Sequence, residues 1–280
     1  MSNLHHYTVA IIICIFFISG CTEESSTEKI ENYSNLKKLF ADPPSEYRSA
    51  PLWDWNDKIT EEGIDFLMKE FKSAGIGGVF VHPRPGLITE YLSEEWFHLF
   101  DYTVQKGKEL DMKVWIYDEN SYPSGFAGGH VPAQMPDSYQ HGAGLSMEVM
   151  ETLKIEMSDT IEVILKKSGE EFVDITDNAG KETGKQGKYY VFRRTYPAKS
   201  QWYGGFTYVD LLYPGVTEKF LELTMTKGYE KKNHADFGST LPGIFTDEPN
   251  LEAAMPHGTI MRWTPDLWKA FEIKWGYDLR

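Results

Sequence analysis

An α/β fold built on a parallel sheet is predicted by three features of this 280-residue chain. Short, continuous apolar runs alternate with stretches of helical periodicity, each run ends in polar and mostly acidic residues, and neither a GxGxxG nor a Walker-type phosphate loop interrupts them. Strands that are apolar throughout belong to parallel sheets covered on both faces, which a doubly wound sheet or a (β/α)8 barrel would both satisfy. The polar strand ends favour the TIM-barrel type, whose functional groups gather at the C-terminal rim of the strands.

The first unit opens with Pro51-Leu52-Trp53-Asp54-Trp55 as a strand, followed by Thr60 as a helix cap and Ile64, Leu67, Met68 and Phe71 at helical spacing. Gly77 to His82 reads as the second strand, and Ser93 caps a helix carrying Trp96, Phe97, Phe100, Val104 and Leu110 on one face. Lys113 to Tyr117 is the third strand. The alternation then breaks: from about 145 to 195, runs such as Thr160–Leu165 and Tyr189–Phe192 lie between turn-rich stretches and predict a small antiparallel β insertion. It resumes with Thr207 to Leu212 as a fourth parallel strand, a helix after Pro214, and Gly243 to Thr246 as a fifth. Thr264-Pro265-Asp266 opens a last helix that Gly276 ends. About five βα units are therefore expected within 48–280. Setting the insertion aside leaves about 180 residues for a fold that takes about 250, so an incomplete barrel, the N-terminal part of a longer or truncated enzyme, is the expectation.

The chain is 41% apolar and 14% aromatic with eight tryptophans, enough for a large core. Its 42 acidic and 28 basic residues give a net charge of −14. Without a concentrated basic patch, that charge excludes nucleic acid and an anionic membrane surface as partners and favours a neutral or cationic one.

Residues 1–21 contain no Lys, Arg, Asp or Glu, and the apolar run from Val9 to Ile18 is about half of what spans a bilayer, the pattern of an export signal. Ile18-Ser19-Gly20-Cys21 resembles a bacterial lipobox, in which the cysteine is lipidated and becomes the new N-terminus; a plain secretory signal with an incidental cysteine is the alternative. The expected location is outside the cytoplasm, anchored by lipid to the bacterial membrane, on the periplasmic or surface side of the outer membrane. With Cys14 removed and Cys21 lipidated, no cysteine remains for chemistry. Residues 22–47, polar and charged with Pro43-Pro44, read as a flexible tether to the folded part.

Two stretches concentrate chemistry. In YDENSYPSGFAGG, residues 117–129, Asp118 and Glu119 end the third strand at the rim, where a glycine-rich loop can fold against them and shape a pocket floor; a structural turn with the acids as helix caps is the alternative. In PGIFTDEPN, residues 242–250, Asp247 and Glu248 follow an apolar strand that Pro249 cuts off. Adjacent carboxyls suppress each other's ionisation, which can keep one protonated as a general acid; a cap with a salt bridge is the simpler alternative. Glycoside hydrolysis needs two carboxyl groups about the scissile bond. The rim offers them on separate strands, with Trp53, Trp55, Tyr117, Tyr122 and Trp202 available to stack on a sugar ring or to pack a core. Asp54 and His82 complete the rim. No HExxH-like spacing assigns His82 to a metal, and Ser124 lacks the GxSxG setting of a hydrolytic serine.

At these residues the chain resembles the α-L-rhamnosidases of glycoside hydrolase family 106 and their relatives. The similar segments are LWDWNDKITEEGI, GIGGVFVHPRPGL, YDENSYPSGFAGG, YVDLLYPGVTEKF and PGIFTDEPN, spread over most of 50–275. The resemblance implies a (β/α)8 catalytic domain, an inverting mechanism with two glutamates, and calcium as a candidate ion. It implies Glu248 and Glu119 as the catalytic pair and Asp118, Asp210 and Asp247 as sugar-hydroxyl or calcium contacts. The substrate expected is a terminal sugar of a plant-type oligo- or polysaccharide. Two other readings stay open: a carbohydrate-binding lipoprotein without catalysis, and a glycosidase of the same fold acting on galactosides or uronic acids.

Overall fold

The computed structural model describes residues 33–251 and 257–280. The export signal, the lipobox at Cys21 and the first part of the expected tether lie outside the described residues. The chain divides into two units, residues 1–42 and 43–280. In the first, Tyr33–Ala41 forms helix α1, so part of the stretch read as a tether is helical. Among the described residues no helix is long and apolar enough to cross a membrane.

The second unit begins with strand β1 (Leu52–Trp55), helix α2 (Glu61–Ser73), strand β2 (Gly78–Pro83), helix α3 (Glu94–Leu110) and strand β3 (Lys113–Tyr117). Both long helices start where a hydroxyl satisfies a free backbone donor: Thr60 Oγ1 accepts from Gly63 N, and Ser93 Oγ accepts from Trp96 N, each at 3.1 Å. After β3 come short helices α4 (His130–Gln134) and α5 (Asp137–Gln140). The chain then builds β4 (Gly144–Thr152), β5 (Ile161–Ser168), β6 (Glu171–Asp174), α6 (Ala179–Glu182) and β7 (Gln186–Thr195). Helix α7 (Val216–Leu221) continues through a π-helical stretch, Glu222–Tyr229, into α8 (Glu230–Asn233). Strands β8 (Ile244–Phe245) and β9 (Met261–Arg262) precede α9 (Leu267–Trp275), which Gly276 ends in a left-handed conformation.

Two sheets result, a parallel one ordered β1-β2-β3-β8 and an antiparallel one ordered β6-β5-β7-β4-β9. The parallel sheet holds four strands where five are expected. Thr207 to Leu212 is not a strand, because its buried Tyr208 and Val209 pack against Phe126, Ala127, Val131 and Phe220 while Asp210 N bonds to Ser138 O at 2.6 Å. With its backbone so engaged it leaves the sheet, and β8 pairs directly with β3. A closed barrel is not formed by these four strands.

Side chains alternate across each strand, and the two faces of the parallel sheet have different fates. Trp53, Trp55, Val79, Val81, Val114 and Ile116 pack against Ile64 and Met68 of α2 and against Trp96, Phe100 and Val104 of α3, forming the main core. The tryptophans are nested edge to face, with Trp55 5.6 Å from Trp53 and 5.1 Å from Trp96. Trp53 and Trp55 are therefore core residues, and their expected role as sugar platforms is corrected: the indoles point into the helices, away from the rim face. The other face carries Leu52, Phe80, Trp115 and Phe245, of which Leu52 remains 49% exposed. Phe80 stacks on Trp115 at 4.8 Å and meets Phe245 edge-on at 5.8 Å. Toward its C-terminal end the same face carries His82 and Tyr117, both buried, while Leu52 and Phe245 stay exposed.

Replacing Trp55 by Ala is expected to cost about 3–5 kcal/mol in urea denaturation, the range for removing a large aromatic from a packed core, and Trp55→Phe much less. If Trp55 instead served a ligand, the alanine variant would keep its stability and lose binding.

Candidate active site

Strand register brings one row of side chains to the C-terminal end of the open face. Asp54 pairs with His82 across β1 and β2, Val81 and Ile116 are partners across β2 and β3, and Tyr117 pairs with Phe245 across β3 and β8, so Asp54, His82, Tyr117 and the nearby Asp247 follow one another along the rim. His82 Nδ1 stands 3.2 Å from Asp54 Oδ1, and the imidazole stacks on Tyr117 with centroids 3.6 Å apart. The Tyr117 hydroxyl donates to Asp247 Oδ2. His82 is almost wholly buried; Asp54 and the Ser121 backbone lie alongside it, yet neither ring nitrogen makes a well-aligned hydrogen bond. Burial, with the Arg84 charge adding to it, lowers His82 to about 4, so the ring is neutral at neutral pH. Burial and the bond to Asp247 raise Tyr117, which keeps its proton and remains a donor.

Behind the row lies the loop that follows β3. The Glu119 carboxylate is sealed from solvent and accepts five backbone N–H groups of its own loop: Asn120 (2.8 Å) and Gly128 (2.5 Å) on Oε1, and Gly125 (3.1 Å), Phe126 (2.9 Å) and Ala127 (2.7 Å) on Oε2. Gly125, Gly128 and Gly129 all take positive φ, and so does Ala127, which wraps the backbone tightly enough for successive amides to converge on one acid. Burial raises Glu119 to about 8 against the opposing pull of the amides. Five donors without an acceptor suit the anion, because a protonated carboxyl would turn its hydrogen toward an N–H; we take the carboxylate as the form that holds the loop. The expected catalytic role of Glu119 is accordingly corrected to a positioning one: both oxygens are engaged and no face of the group is open.

Asp118 is buried as well. Its oxygens accept from Ser124 Oγ at 2.6 Å and Thr246 Oγ1 at 2.7 Å, and burial raises its pKa. Ser124 ties three segments together. Its hydroxyl donates to Asp118 and accepts from Asp247 N at 2.8 Å, its own N donates to Asp247 O at 2.7 Å, and its carbonyl accepts from the Tyr208 hydroxyl at 2.6 Å. These bonds fix where Asp247 stands.

Glu248 follows with its side chain exposed and its backbone at φ 43°, a left-handed setting that a β-carbon disfavours. Tyr122 is 39% exposed and meets Trp202 edge to face at 5.3 Å. Asp210 does not join the row. It is fully buried, bonded to Arg262 Nη2 at 2.9 Å and His141 Nε2 at 3.1 Å; burial raises its pKa, and these partners together with Thr264 bring it below the usual carboxylate value. Its expected contact with a sugar or ion is corrected to a link between the 207–212 segment and the antiparallel sheet. The three acids offered for calcium do not fit an ion as they stand: Asp118 accepts two hydroxyls, Asp210 is paired with the Arg262 guanidinium, and Asp247 accepts from Tyr117. Among the described residues no group of three or more His, Cys, Asp or Glu is arranged to hold a metal.

Ser124, Thr246, Arg84 and the pair Arg262 and His141 escape a search for rim acids and aromatics. Arg84 had a signal, since it stands two residues beyond His82 at a strand end; Arg262 had none, because its contact with Asp210 spans 52 positions.

Two measurements check this arrangement. Glu119→Gln keeps one acceptor but turns an NH2 toward amide donors, so it should lose about 1–3 kcal/mol and open the 120–128 loop to proteolysis; unchanged stability would remove the amide cradle. His82, lowered in the fold, binds fewer protons than in the unfolded chain between about pH 6.5 and 4. Its contribution is complete above that window and lost as pH falls through it, by about 3 kcal/mol at most. His82→Asn should flatten the fall in stability on acidification.

The chain matches no protein-family model and no curated protein. Among solved structures it matches a rhamnosidase from Novosphingobium sp. PP1Y at 23% identity and a TM-score of 0.33, over 46% of this chain. The chain spans 13% of that protein's length.

Proposed function

We propose that this chain is a glycoside hydrolase of the α-L-rhamnosidase kind, or a part of one, acting on terminal sugars of plant-type polysaccharide. The observation that carries the reading is the row Asp54–His82–Tyr117–Asp247 on the open face of a parallel sheet, with Glu248 exposed beside it. A neutral sugar is bound by carboxylates that accept from its hydroxyls, with aromatic surface against its apolar face; Asp54 and Asp247 supply the acceptors, and the exposed ring of Tyr122 supplies the aromatic surface. In this reading the open face is the interior of a (β/α)8 barrel, which would bury Phe80, Trp115 and Phe245 and present the row at its rim.

Glu248 is the reacting carboxyl, taking or giving the proton at the glycosidic oxygen or at a water. Asp247, oriented by the Tyr117 hydroxyl and the Ser124 hub, fixes a sugar hydroxyl, as does Asp54. An N-terminal lipid anchor at Cys21 would hold the protein at the outer membrane, where polymer substrates arrive. A second reading, a sugar-binding surface without catalysis, is favoured by one observation: the seal on Glu119 removes one of the two expected catalytic carboxyls.

Glu248→Gln is expected to reduce hydrolysis of an aryl α-L-rhamnoside by about 100-fold or more while leaving rhamnose binding within a few-fold. Rhamnose binding without any turnover by the unaltered chain would select the second reading, and neither binding nor turnover would dismiss both.

A further inference from the structure

Three segments converge next to the rim row at a feature the proposed chemistry does not use. Arg84 follows β2, Tyr122 lies in the loop after β3, and Trp202 lies beyond β7. Trp202 donates its indole N–H to the Tyr122 carbonyl at 2.5 Å and meets the Tyr122 ring edge to face, which fixes the indole plane. The Arg84 guanidinium sits over that plane, 5.7 Å from the ring centre. A guanidinium held over an aromatic ring keeps N–H groups that can bond to another partner.

The chain has 42 acidic residues against 28 basic ones, and most of its half-buried cations are paired: Lys106 with Asp65, Arg194 with Glu162, Arg262 with Asp210. Among the described residues Arg84 has no carboxylate within ion-pair distance, although its charge reaches both His82 and Tyr117. An arginine beside a cluster of acids and bonded to none of them presents an edge whose geometry matches an incoming carboxylate.

We propose that Arg84, Trp202 and Tyr122 form a subsite for a carboxylate-bearing sugar, a uronic acid residue of the chain whose neighbouring sugar occupies the Asp54–Asp247 row. The guanidinium forks the carboxylate, and the exposed aromatic edges of Tyr122 and Trp202 meet the ring. The inference rests on the reading of the row as a sugar site and adds the charge class of the adjacent residue, which net charge alone would exclude.

Isothermal titration of the full chain with digalacturonate and with the same disaccharide reduced to its neutral form tests it. Digalacturonate should bind about tenfold tighter than the neutral sugar, the weight of one charge-assisted contact. Arg84→Gln should abolish that preference without changing the neutral sugar's affinity. Arg84→Lys, which keeps the charge and loses the fork, should retain only part of it, and decides the matter alone if the glutamine variant fails to fold. Equal affinity for the two sugars, or a preference that survives Arg84→Gln, overturns the subsite and leaves the hydrolase reading standing. An Arg84-dependent preference in a chain that cleaves no aryl α-L-rhamnoside upholds the subsite and removes that reading, and binding of neither sugar overturns the subsite.

Discussion

The rim depends on one carboxylate that never meets solvent. Glu119 gathers five amides of the loop that follows it, and this sets the loop's path. A glycine-rich segment would otherwise sample many conformations, and the ordering costs about 1–2 kcal/mol of backbone entropy per residue. Five charge-assisted hydrogen bonds, each stronger than a neutral one, are the evident source of compensation. Once the loop is set, Ser124 has only one place to be. Its hydroxyl and backbone then bind Asp118, Asp247 and Tyr208, so the end of β3, the end of β8 and the irregular 207–212 segment are held as one piece.

That sequence of constraints explains why neighbouring acids play opposite parts. Asp118 and Glu119 face inward and spend their oxygens on hydroxyls and amides; Asp247 and Glu248 follow β8, and only the first is tied down. The buried pair is the scaffold, and the later pair lies toward solvent. A rim built this way is rigid where it must orient Tyr117 and Asp247, and open where Glu248 stands. The left-handed backbone at Glu248 adds local strain at that point.

Much of the fold was legible in the sequence because it rests on local rules. Thr60 and Ser93 cap their helices, the apolar faces of α2 and α3 supply the core, and Leu52–Trp55, Gly78–Pro83 and Lys113–Tyr117 are parallel strands whose register assembles the row. The fourth expected strand failed for a tertiary reason. Thr207 to Leu212 has the composition of a strand, but Tyr208 and Val209 find their partners in the loop and helix after β3, and the backbone follows them out of the sheet. Trp53 and Trp55 failed for a geometric one. In a strand, side chains two apart share a face, so both indoles go where the helices are, while Asp54 between them goes to the rim. The pattern shows that alternation, but not which face the helices will cover.

Asp210 and Asp247 show most clearly what the sequence leaves out. Each ends an apolar run at the close of a βα-like passage, and each reads as a rim acid. What separates them is the company the tertiary structure provides. Asp210 meets Arg262 at one oxygen and His141 at the other, carried by the antiparallel sheet and the stretch leading into it, and in a buried setting the guanidinium neutralises its charge and both partners close it to a ligand. Asp247 meets a tyrosine hydroxyl and a serine, which orient a carboxylate without neutralising it. A carboxylate stays available for chemistry when its neighbours are neutral donors, and becomes a structural tie when they are cations. By the same rule, Arg84, with no carboxylate among the described residues within ion-pair distance, is a cation left available, and its charge reaches His82 and Tyr117.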